Sequence, residues 1–113
     1  MAIRLRLDKP WQALTAEAAG RLPGQLGVYQ IADAKGQVLF IGQAGARSPF
    51  GLRSELQREA GERGAGCQFR VEVNQQYRTR WLELLMVHKA DHGSLPLDNA
   101  KNPPPGLGRL SPA

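Results

Sequence analysis

The chain has 113 residues, 42% of them hydrophobic, and a formal net charge of +5. This length supports one domain. It holds no run near the roughly 20 apolar residues that a membrane helix requires and no apolar signal stretch at its start, so a soluble, cytoplasmic protein with no membrane partner is expected. The positive charge favours a polyanionic partner such as nucleic acid.

In chain order, Ile3, Leu5 and Leu7 alternate with Arg4, Arg6 and Asp8, the pattern of a short half-exposed strand that Pro10 closes. Thr15 is placed to cap a short helix over residues 16–19, stopped by Gly20 and Pro23. Residues 27–32 and 37–41 form two strand-like runs, with Asp33, Ala34, Lys35 and Gly36 as the turn between them. A two- or four-residue loop makes opposed residues sum to an odd number, which puts Tyr29, Ile31, Phe40 and Gly42 on one face.

Ser48 and Pro49 suit the N-cap and first position of a helix. That helix carries Leu52, Leu56 and Ala60 at spacing four, with Gly61 as its stop. Cys67, Phe69, Val71 and Val73 alternate with Gln68, Arg70, Glu72 and Asn74 as the clearest strand of the chain. Cys67 is the single cysteine; no internal disulfide is open to it, it lacks zinc-site partners, and it reads as core filler. A second helix is expected from about residue 77 to 92, ending at Gly93, then an ordered turn through Asn99. The Pro- and Gly-rich residues 100–113 read as a flexible tail.

Several side chains invite a chemical role. Glu83 is the only charge in the run 81–87, nearly two helical turns of apolar neighbours. A carboxylate buried there must be paired, protonated or bound to a cation; the plainer alternative is that the helix turns it to solvent or that an arginine pairs with it. Tyr29 on a strand suits either a site or a half-buried face. His88 and His92 are four apart on one helix but lack a third metal ligand. The segment 45–48 lacks the Gly-Lys-Ser/Thr of a phosphate-binding P-loop.

Gly27-Val28-Tyr29 and Phe40-Ile41-Gly42, eleven residues apart between tyrosine and phenylalanine, resemble the two motifs of the GIY-YIG nuclease superfamily. Arg53, Glu83 and Asn99 follow in the family's order. The resemblance covers residues 22–99, with 1–21 as an N-terminal strand and helix extension. It implies an α+β fold: a small mixed three-stranded sheet flanked by helices, in a β-β-α-β-α core, with the family's usual further helix not evident. It implies a Mg²⁺- or Mn²⁺-dependent endonuclease hydrolysing phosphodiester bonds of nucleic acid, with DNA the expected partner.

By resemblance, Tyr29 orients or deprotonates the attacking water, Arg53 stabilises charge on the phosphoryl oxygens, and Glu83 holds the metal. Asn99 holds its turn against the hairpin. Gly42, whose missing Cβ admits a phosphate, Gln43 and Arg47 are candidate substrate contacts, and Arg47 competes with Arg53 for the family arginine. Phe40 stands where the family carries tyrosine, which keeps a stacking surface and loses a hydroxyl. The alternative in a different class is a catalytically weak or inactive nucleic-acid-binding or interaction module on the same fold.

Overall fold

Alternation of side chains and a tight turn make residues 27–44 a hairpin. In the computed structural model, which describes residues 5–104, β2 (Gly27–Ala32) and β3 (Val38–Ala44) pair antiparallel. The Asp33 carboxylate fastens the turn by accepting from the backbone N–H groups of Lys35 and Gln37, both at 2.9 Å. Tyr29 opposes Gly42 and Ile31 opposes Phe40, so the odd-sum register holds; it slips only at Ala32, which faces Val38 across a bulge. On the other side of β2 lies β4 (Gln68–Val73), also antiparallel, and beyond it the two-residue β1 (Gln12–Ala13).

Among the described residues the sheet therefore has four strands in the order β1-β4-β2-β3, antiparallel throughout, rather than a mixed sheet of three. The added strand comes from residues 12 and 13, not from residues 5–7 of the alternating stretch 3–7. Of the latter, 3 and 4 lie outside the described residues and 5–7 take no strand. The carbonyl of Leu5 instead accepts from Arg80 at 2.9 Å, and Leu7 enters the core.

Period two divides the strands between two cores. Tyr29, Ile31, Ala44 and Phe69 face α1 (Ala16–Gly20) and α2 (Gly51–Arg63), packing with Leu14, Ala19, Leu22, Leu52 and Leu56. Val28 and Ile41 face the opposite way and pack with Leu84 and Leu85 of α3 (Tyr77–His92). Thr15 caps α1 by accepting from the Ala18 N–H at 3.0 Å. Gly93, at φ 83°, ends α3 in the left-handed conformation that glycine adopts without strain.

Two helix ends differ from expectation. Ser48 and Pro49 do not start α2: Gly51 N–H bonds the Ser48 carbonyl and Leu52 N–H bonds the Gln25 carbonyl, so a tertiary contact sets the start at Gly51. The Ser48 hydroxyl is used on Glu55 instead, at 2.8 Å. Gly61 does not stop the helix, which runs to Arg63 with Gly64 as its cap. A further helix is present: α4 (Leu97–Ala100), one turn long, follows α3. The expected tail falls mostly on residues 105–113, outside the described residues. Among the described residues, no helix is long and apolar enough to cross a membrane.

Candidate functional site

The α2 stripe begins with Leu52 and Leu56 and continues, at helical spacing, to Glu59 and Arg63. Two charged residues thus occupy core-facing positions. Glu59 is only 3% exposed. Its Oε2 accepts from the Tyr29 hydroxyl at 2.9 Å and its Oε1 from Arg63 Nε at 2.8 Å, with Arg58 3.7 Å from Oε2. Arg63 passes the chain of contacts to α4, donating from its second nitrogen to Asp98 at 2.8 Å; Lys101 lies 3.2 Å from the same carboxylate.

Around this network the two motif strands supply the aromatic wall. Tyr29 and Phe40 have ring centroids 5.9 Å apart, and the Arg63 guanidinium lies 5.6 Å from the centre of the Phe40 ring. A Cβ on Gly42 would lie 2.3 Å from the Tyr29 ring. The missing side chain of Gly42 therefore makes room for that ring rather than for an approaching phosphate.

The electrostatics of Tyr29 run against a base. The ring is 1% exposed. Burial raises the phenol's pKa, and the Glu59 carboxylate raises it further, both by its charge and by accepting the hydroxyl hydrogen. A phenol acting as general base near neutrality needs the opposite shift.

The other expected site residues are dispersed. Arg53 donates from Nε to the Leu22 carbonyl at 2.9 Å, with its guanidinium 5.9 Å from the Phe50 ring. Arg47 is exposed in the preceding loop, and Gln43 opposes Val28 on the hairpin. Glu83 belongs to α3, whose Leu84 and Leu85 pack on the face of the sheet that Tyr29 and Phe40 do not share. There Glu83 is 41% exposed at its side chain and pairs with Arg80 Nη1. Arg80 is itself 8% exposed and also donates to both oxygens of Glu72, at 2.9 and 3.1 Å.

Any metal at Glu83 would meet a competing charge. Its carboxylate already faces a buried guanidinium, and a divalent cation would be set beside that positive charge. Among the described residues, no group of three or more His, Cys, Asp or Glu is arranged to hold a metal ion. The plainer sequence alternative, exposure with an arginine partner, describes Glu83 in this structure.

Asn99 is buried, and both polar atoms of its amide bond one residue of β3. Oδ1 accepts from the Ile41 N–H at 2.8 Å and Nδ2 donates to the Ile41 carbonyl at 2.9 Å. Trp81 donates to that same carbonyl at 2.8 Å.

Residues 5–91 match the family described as a domain of unknown function, DUF7508. The chain belongs to this family. The DUF7508 match includes Tyr29, Phe40, Arg53, Glu59 and Glu83 and ends before Asp98 and Asn99. No curated protein and no solved structure matches the chain.

Glu59, Arg63 and Asp98 were not singled out by sequence reasoning. The signal was the spacing from Leu52: positions seven and eleven residues on share its helical face. A carboxylate and a guanidinium one turn apart on an inward stripe mark a buried pair.

Proposed function

We propose that this DUF7508 protein is a nucleic-acid-binding module on a GIY-YIG-like β-β-α-β-α core that does not cleave its ligand. The observation carrying the proposal is the Tyr29 hydroxyl, buried and donating to Glu59 at 2.9 Å. The group that the family resemblance would assign to water is used to hold a helix on the sheet. Glu83, which the resemblance would assign to a metal, pairs with Arg80 across the sheet from it. Phe40 lacks the hydroxyl of the second motif. The net charge of +5 supports a polyanionic ligand.

Affinity of this kind falls as salt rises, because bound phosphates release counterions. The test is a paired assay on the wild-type protein. Supercoiled plasmid is incubated with Mg²⁺ or Mn²⁺ and scored for nicks, while binding to the same DNA is followed at low and moderate salt. Salt-sensitive binding without nicking is expected, for wild type and for Phe40→Tyr alike. Divalent-dependent nicking lost in Glu83→Ala would restore the endonuclease reading. Absence of binding at low salt would remove nucleic acid as the ligand.

A further inference from the structure

Phe50 is 60% exposed, yet its backbone is pinned. Its N–H donates to the Ser54 hydroxyl at 2.9 Å. The next two residues are bonded to Ser48 and Gln25. A Cβ on Gly24 would sit 3.4 Å from the Phe50 carbonyl oxygen, and one on Gly51 only 2.2 Å from the Gln25 carbonyl oxygen. The apolar ring is thus held out from the surface by a fixed turn.

The side chain beside it is cationic, and further arginines lie close in the chain. Arg53 lies 5.9 Å from the ring centre, anchored through Nε on the Leu22 carbonyl. Arg47, three residues before Phe50, is exposed, and so is Arg21, next to Leu22. Neither the Arg47 nor the Arg21 side chain has an ion-pair partner among the described residues. The nearby carboxylate of Glu55 is engaged by Ser48 and by Arg58, both contacts being short at 2.8 and 2.7 Å.

An exposed aromatic ring with the Arg53 guanidinium beside it, in a turn that also carries the exposed Arg47, matches one chemistry closely: a flat base to stack and a phosphate next to it. A duplex keeps its base faces covered by stacking, whereas an unpaired strand offers them. Resting on the nucleic-acid reading above, we infer that the Phe50 turn, with Arg47 and Arg53, is a stacking platform for single-stranded nucleic acid.

The experiment is fluorescence anisotropy with a labelled oligodeoxythymidine of about 15 nucleotides and a labelled duplex of the same length, across a salt series. Wild type is expected to favour the single strand. Phe50→Ala should raise the single-strand Kd by at least about fivefold, the lower end of base–aromatic stacking, and leave duplex binding and the salt slope unchanged. Phe50→Trp should restore binding. Arg47→Ala should lower the salt slope by about one contact. Circular dichroism checks that each variant is folded. If wild type binds and Phe50→Ala binds the single strand equally well, the platform is overturned while the nucleic-acid reading stands. If wild type binds neither probe at low salt, both fall.

Discussion

The two faces of the sheet bury charge in opposite ways. On the α2 face a carboxylate sits at the centre: Glu59 accepts from Tyr29 and Arg63, with the Arg58 guanidinium 3.7 Å away. On the α3 face a guanidinium sits at the centre: Arg80 is surrounded by acceptors from Glu72, Glu83 and the Leu5 carbonyl. The first network joins β2, α2 and α4 and is closed to water at its core. The second keeps one partner, Glu83, half in solvent. A charge that can be rehydrated when its partner is lost costs less to orphan than one that cannot. The same type of contact therefore carries different weight on the two sides.

Glu59→Ala is the strongest way to test that difference. It leaves Arg63 and the Tyr29 hydroxyl without their buried acceptor and should cost about 3–5 kcal/mol, the range for breaking a buried pair, read by urea denaturation. Arg80→Met should cost less, about 1–3 kcal/mol, because Glu83 can turn to water. Equal losses in the two variants would erase the distinction between the faces.

The alkaline limb of stability sharpens the comparison further. The Tyr29 phenol has its pKa raised in the folded protein, so above about pH 10, the ordinary tyrosine value, the unfolded chain releases a proton that the folded one keeps. Stability then falls as pH rises, by about 1.4 kcal/mol per pH unit from this group. Tyr29→Phe should remove that share of the slope in denaturation curves taken between pH 9 and 11; an unchanged slope would mean that Tyr29 ionises within the fold.

The smallest effect belongs to the residue that stands out most in the sequence. Glu83→Gln should change stability by under about 1 kcal/mol, as for other solvent-accessible ion pairs, and should leave nucleic-acid binding unaltered.

Much of the fold was legible because it rests on local rules. The strand-like run of β2, the alternation of β4, the cap at Thr15 and the glycine stop at Gly93 each depend on a few consecutive residues. The start of α2 depends instead on Gln25, distant in sequence, and β1 is too short for two residues to show a period. The site was harder to read for a physical reason. Glu83 drew attention because its neighbours along the chain are apolar, but a helix shows its neighbours every third or fourth residue, and there Glu83 meets Arg80. Glu59 sits in a segment rich in charge, between Arg58 and Glu62, and looks solvated until its distance from Leu52 is counted in turns. Tyr29 and Phe40 could be placed side by side from register alone, whereas the partner of the phenol could not, since Glu59 lies thirty residues away in the chain.

Asn99 has a consequence of another kind. The outermost strand of a sheet ordinarily offers a row of unpaired peptide groups on which another chain can grow. At the β1 edge that template is two residues long. At the β3 edge one carboxamide, with the same donor and acceptor as a peptide bond, imitates a neighbouring strand at Ile41 and ends the ladder there. Asn99→Ala would leave the buried Ile41 N–H without an acceptor, since Trp81 serves only the carbonyl, at a cost of about 1–3 kcal/mol. The loss should appear in urea denaturation, making this side chain a stand-in for one more strand as much as a brace for α4.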